Sequence, residues 1–98
     1  MINICLFGAS GRMGKAVISA AENDSDVNIN NFIVRSKSSS LNENVGKYHF
    51  NEPNEHIFES SPSLDFDMVI DFATKDDLEK RIDIYKSHKK PVIFCSSG

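Results

Sequence analysis

The sequence predicts an α/β fold, a doubly wound parallel sheet of about four strands with helices on its faces. Three observations lead there. Apolar runs of strand length recur at Ile2–Phe7, Ile29–Val34, Met68–Phe72 and Val92–Cys95. Helical periodicity separates the first from the second and the third from the fourth. A glycine-rich turn, GASGRMG over residues 8–14, joins the first run directly to the first helix.

Each element has its own reason. Ile2–Phe7 is continuously apolar, which suits a parallel strand covered on both faces. From Arg12 the period changes. Met13, Ala16, Val17, Ala20 and Ala21 form one helical face, and the turn residues of NDSD end it near Glu22. Ile29 to Val34 is the second strand, so Ile2 to Arg35 has the ~30-residue length of a βαβ unit. Ser36 to Ser63 is rich in Ser, Asn and Glu with scattered apolar residues, and reads as a long connection holding one short strand or helical turn. Met68–Phe72 is the third strand. Thr74 caps the next helix, with Asp76 and Asp77 in its first turn. Leu78, Ile82 and Tyr85 form its apolar face through to Ser87, and Pro91 introduces the strand Val92–Cys95.

Ninety-eight residues with a net charge of −3 suit one small domain, taken as residues 1–98. Mixed charge argues against non-specific nucleic-acid binding and against an anionic membrane surface. The basic cluster Lys86, His88, Lys89, Lys90 is read as the cationic end of a helix. No secretory signal and no apolar run near ~20 residues is present, so the expected compartment is the cytoplasm. Cys5 and Cys95 are expected to be buried reduced thiols, and the glycosylation-like triplet Asn23-Asp24-Ser25 carries no weight in such a chain. His49 and His56 are expected on the surface, with no metal-ligand spacing.

The glycines at 8, 11 and 14 carry the functional signal. A turn from a buried strand straight into a helix needs backbone conformations that side chains resist. It also aims the helix N–H groups at an anion, most often a diphosphate. The G-x-x-G-x-x-G spacing alone is equally met in a plain connecting turn; the strand before it, the helix after it and the next strand on schedule favour a Rossmann-like dinucleotide site. A P-loop is excluded because no Gly-Lys-Ser/Thr follows. Arg12 is read as a phosphate clamp, or else as an exposed first-turn residue. At the end of the second strand, where an acid usually meets a ribose 2′-hydroxyl, stands Val34, followed by Arg35, Lys37, Ser38, Ser39 and Ser40. Those donors suit a 2′-phosphate, so NADP(H) is favoured and NAD(H) is the alternative. Asp71 is read as orienting local backbone rather than as a general base.

GASGRMG after the first strand, FDMVIDFA before a helix, and VIFCSSG at the fourth strand together resemble the N-terminal half of the dihydrodipicolinate reductase family. The resemblance implies a cytoplasmic reductase of the diaminopimelate route to lysine that reduces a cyclic dicarboxylate with NADH or NADPH. It implies that Gly8, Ala9, Ser10, Gly11, Arg12, Met13 and Gly14 hold the pyrophosphate and that Arg35 meets the adenine ribose and its 2′-phosphate. Phe72, Ala73, Cys95, Ser96 and Ser97 would lie near the nicotinamide ribose and ring. Three positions depart from the family pattern: Val34 replaces an acid, Ala73 a hydroxyl residue, and Cys95 the first glycine of G-T-T-G. The family's proton donor and substrate clamp lie in a second domain, in a His-His-x-x-Lys-type segment that has no counterpart here. The chain alone is therefore expected to be inactive and monomeric or weakly associated, whereas the full-length family is homo-oligomeric. The competing readings are a stand-alone dinucleotide-binding or redox-sensing module, and another NADP-linked oxidoreductase with a GASG loop.

Overall fold

The computed structural model describes residues 1–73 and 78–95. The elements run β1 (Ile2–Phe7), α1 (Arg12–Glu22), β2 (Val27–Ile33), α2 (Val45–Phe50), β3 (Met68–Asp71), α3 (Leu78–His88) and β4 (Val92–Phe94). The strands form one parallel sheet in the order β2-β1-β3-β4. Alternate residues of β1 point to opposite faces, as a strand's period of two requires. Ile4 and Leu6 enter a core with Ile18 of α1, whereas Cys5 and Phe7 enter a second core with Tyr85 of α3. Helices thus cover both faces, and β1, the central apolar run, is the part both cores share.

β2 begins two residues earlier than the apolar pattern suggests and ends one earlier. Its polar residues are accommodated by a register shift against β1: Ile4 pairs with Ile29, but Cys5 pairs with Asn31. The extra residue, Asn30, reverses the alternation beyond it. Ile29, Phe32 and Val34 consequently share the α1-side core, and Ile33 faces the other way. Asn31 is fully buried but satisfied; it donates to the Leu64 carbonyl and accepts from the amides of Ser63 and Leu64.

The long connection is built rather than loose. Asn44 caps α2 by accepting from the Lys47 amide at 3.0 Å, and Val45 is fully buried. The chain then returns to β2, where Glu59 accepts from the Val34 amide and donates its own amide to Phe32. Phe58 packs there with 0 % exposure. The connection covers the outer edge of the sheet that β2 would otherwise leave open.

α3 differs from the expected face. Arg81 and Tyr85 are its buried residues, while Leu78 and Ile82 are only half-buried. The cause is Asp71, buried at the end of β3, which requires a counter-charge from the helix above it. The expected cap at Thr74 and the acids at Asp76 and Asp77 lie outside the described residues. Lys86 and His88 occupy the last turn, and Lys89 leaves the helix at φ +54° with its amide on the Tyr85 carbonyl. β3 and β4 each end one residue earlier than expected. β4 leaves Ile93 and Phe94 about half exposed, and Cys95 is exposed rather than buried.

Two glycines are sterically required where β1 enters α1. Gly8 has φ +78°, and a β-carbon there would lie 2.7 Å from the Ala73 amide nitrogen. A β-carbon on Gly14 would lie 2.6 Å from the carbonyl oxygens of both Gly8 and Ala9. Gly11 is different: its φ is −80°, and its nearest such neighbour is 3.6 Å away. Gly14→Ala and Gly8→Ala should each cost about 1–3 kcal/mol, and Gly11→Ala less than about 1 kcal/mol. Urea unfolding midpoints check the order; equal effects at 11 and 14 would contradict it.

Burial pushes the Cys5 thiol up to about 12 from its ordinary 9.0, and the nearby Asp71 charge adds to the shift. A thiol-specific reagent should therefore label Cys95 in the native chain and reach Cys5 only after unfolding. The raised value also sets a sign. Below pH ~9 the thiol is protonated in both states, whereas above it only the unfolded chain releases the proton. Stability should fall as pH rises from about 9 to about 12, and Cys5→Ala should reduce that slope.

Candidate functional site

A cavity of about 370 Å³ opens at the carboxyl ends of the strands. β2 and β3 flank β1 on opposite sides, so their connections leave in opposite directions and part at this point. Such a switch point is where open α/β sheets take ligands. Gly8, Ser10 and Gly11 form one wall; Ile33, Val34, Arg35, Ser36 and Ser38 form a second. Phe72 and Ala73 form a third, closed by Ser60 and by Lys80, Arg81 and Ile84 of α3.

The loop's backbone is divided between structure and availability. The amides of Gly8 and Ala9 both donate to the Ile33 carbonyl, at 3.0 and 3.2 Å, and the Gly11 amide donates to Gly8. The Ser10 amide has no hydrogen-bond partner among the described residues. α1 starts at Gly11 with no side-chain cap, so its first-turn N–H groups, beginning with Arg12 and Met13, are left for another acceptor. Together with the helix dipole, these amides suit an anion.

The sequence-predicted residues divide accordingly. Gly8, Ser10, Gly11, Arg35, Phe72 and Ala73 meet at the cavity. Ala9 is fully buried in the α1-side core, and Gly14 is buried against the loop carbonyls. Arg12 and Met13 expose their side chains outside the cavity wall, so neither side chain acts as a wall residue. Cys95 is not at the cavity either; its amide donates to the Asp71 carbonyl at 2.8 Å. Ser96 and Ser97 lie outside the described residues.

The second-strand end also differs in detail. Val34 is 6 % exposed and its side chain belongs to the core, so Arg35 is the first side chain turned outward. Ser40 is buried, and its hydroxyl is paired with that of Ser38 at 2.7 Å. Ser38 lines the cavity with Ser36 and Ser60, whereas Lys37, Ser39 and Ser40 do not. Arg35 and Lys80 make the described wall cationic, the charge of Arg81 being met by Asp71, and no carboxylate is among the described lining residues. Lys80 and Arg81 escaped the sequence analysis because the helix pattern marked their turn by its apolar residues alone.

Asp71 is 1 % exposed and lies behind this wall. Its carboxylate accepts from the Ala73 amide at 2.8 Å, from Arg81 Nε at 2.9 Å and from the Tyr85 hydroxyl. It orients the backbone as expected, and adds an ion pair that the sequence did not indicate. The Tyr85 phenol is held above its ordinary range, chiefly by burial and then by its bond to Asp71.

His49 and His56 are half-buried rather than on the surface. His56 stacks on Phe32 with ring centroids 4.7 Å apart. His49, on α2, places Nε2 2.7 Å from the Ala9 carbonyl oxygen, directly on the glycine loop. No spacing in the sequence connects His49 to that loop. Among the described residues no group of His, Cys, Asp or Glu could hold a metal ion, and no helix is long and apolar enough to cross a membrane.

Comparison with known proteins agrees with this geometry. Residues 2–98 match the family model described as dihydrodipicolinate reductase, N-terminus. A 4-hydroxy-tetrahydrodipicolinate reductase of Pseudoalteromonas atlantica is 33 % identical over 101 residues, covering 100 % of this chain and 38 % of the relative. The enzyme of that name from Wigglesworthia glossinidia brevipalpis is 38 % identical over 98 residues, covering 94 % of this chain and 36 % of the relative. That of Zymomonas mobilis is 33 % identical over 97 residues, covering 99 % and 33 %. The chain thus spans about a third of the length of these relatives. A parallel sheet with its cavity at the switch point, a glycine loop feeding an uncapped helix and a family match across the whole chain lead to one assignment: the chain belongs to the dihydrodipicolinate reductase family, matching its N-terminal part.

Proposed function

We propose that residues 1–98 form the dinucleotide-binding domain of an NAD(P)H-dependent reductase acting on a cyclic dicarboxylate, in the cytoplasmic diaminopimelate route to lysine. The observation that carries this reading is the cavity at the switch point. It joins an uncapped helix N-terminus to a wall bearing Arg35, Lys80 and Arg81, with no carboxylate among the described residues that line it. A dinucleotide presents a doubly charged pyrophosphate to such a wall.

The amides of Ser10, Arg12 and Met13 hold the pyrophosphate, and the bare Gly11 lets it approach the backbone. Arg35 meets the adenosine ribose and its 2′-phosphate, with Ser36 and Ser38 as neighbouring hydroxyls. The Phe72–Ala73 backbone flanks the nicotinamide ribose. The bound cofactor would supply the hydride; this chain's residues bind and orient it. Asp71 does not act as an acid or base, because Ala73, Arg81 and Tyr85 already occupy its oxygens. The proton donor and the substrate clamp are supplied from outside residues 1–98, so this chain alone turns over no substrate.

A charge-assisted hydrogen bond contributes about 1.5–3 kcal/mol, or roughly tenfold to a hundredfold in affinity. In calorimetric titration NADPH should therefore bind more tightly than NADH, and the gap should shrink with salt because Arg35 is exposed. Arg35→Ala should remove most of the gap and leave NADH binding nearly unchanged. Gly11→Val should abolish binding of both cofactors in a folded chain. Equal affinity for the two cofactors in the unsubstituted chain would overturn the role of Arg35, and unchanged binding in Gly11→Val would overturn the pyrophosphate seat. Val34→Asp is not a clean switch toward NADH, because its carboxylate would enter the core.

A further inference from the structure

The Ala9–Ser10 peptide is gripped from one side. The Ala9 oxygen is packed against Gly14, where a β-carbon would come within 2.6 Å, and His49 Nε2 approaches it at 2.7 Å. A carbonyl oxygen only accepts, so Nε2 carries the proton and donates. The peptide is trans, so the Ser10 N–H points opposite to the Ala9 carbonyl. Ser10 lines the cavity, and its amide has no partner among the described residues.

From these contacts we infer that His49 is a positioning residue for the glycine loop: by holding the Ala9 carbonyl, it fixes the Ser10 N–H toward the bound diphosphate. The inference rests on the dinucleotide reading above. The platform is rigid enough for the task. Val45 anchors α2 in the core, Tyr48 and His49 pack edge-on against Phe58, and Phe50 lies under the Lys15 ammonium of α1 at 5.7 Å. A loop free to turn this peptide would present a carbonyl oxygen to the phosphates instead of an amide, a repulsive exchange. The bond therefore acts through the loop and touches no ligand itself.

Two variants separate hydrogen bonding from packing. Gln places an amide N–H near the position of Nε2, whereas Phe keeps the aromatic cluster and has no donor. His49→Phe should weaken NADPH binding about three- to tenfold, the range of one neutral hydrogen bond, and His49→Gln should stay within about twofold of the unsubstituted chain. The reverse order, Phe retaining affinity and Gln losing it, would assign His49 to packing and overturn the proposal. In the cofactor-free chain, nitrogen NMR should show the Nε2–H tautomer, and His49→Phe should shift the Ser10 amide resonance. An Nδ1–H tautomer, or an unmoved Ser10 amide, would overturn it equally. Failure of the unsubstituted chain to bind either cofactor would instead overturn the dinucleotide reading, and the tautomer would still decide whether His49 holds the loop.

Discussion

Asp71 ends β3 with its carboxylate almost wholly out of water. An ion there is sustained only if its charge and lone pairs are met, and three groups meet them: the Ala73 amide, Arg81 Nε and the Tyr85 hydroxyl. The first sets the direction of the chain as it leaves β3. The other two set where α3 crosses the sheet. Removing one partner of such a buried pair costs about 3–5 kcal/mol, because the other charge is left without compensation. The cavity wall at Phe72 and Ala73, and the placement of Arg81 beside it, follow from this one group.

The glycine loop meets that wall from the other side. A β-carbon on Gly8 would collide with the Phe72–Ala73 backbone, and one on Gly14 with the loop's own carbonyls. The strand exits of β1 and β3 are therefore held in backbone contact, and α1 is held against its own entry turn. Amides not needed for that packing, Ser10 and the first turn of α1, are left without a loop partner or a side-chain cap among the described residues. α2 supports the loop from behind through His49. Rigid packing and an available row of N–H donors are thus two results of the same arrangement.

Local patterns in the sequence carried the sheet, α1 and the glycine turn because each depends on near neighbours. β1 is an unbroken apolar run, and Gly8, Gly11 and Gly14 lie where strand becomes helix. The parallel sheet needed only the alternation of elements, whereas the strand order β2-β1-β3-β4 depends on pairing between distant segments. Other features depend on residues far apart in the chain. The bulge at Asn30 is a matter of pairing with β1, and it turns Val34 inward and Arg35 outward. Arg81 is buried because Asp71, ten positions earlier, is buried with it. His49 reaches Ala9 across 40 positions, through a short helix whose own apolar pattern is faint. Cys95 reads as part of an apolar strand, yet β4 is a short edge that leaves it exposed.

The most direct measurement is a titration of the nitrogen-labelled chain with NADPH, followed amide by amide. On the proposed function, the cofactor lies across the strand ends between the glycine loop, the Arg35 segment and the Phe72–Ala73 wall. The largest shifts should fall on Ser10, Gly11, Arg12 and Met13, on Arg35 to Ser38, and on Phe72 and Ala73. Shifts centred instead on a separate hollow lined by Asn30, Asn42 and His56, or no shifts at all, would contradict it.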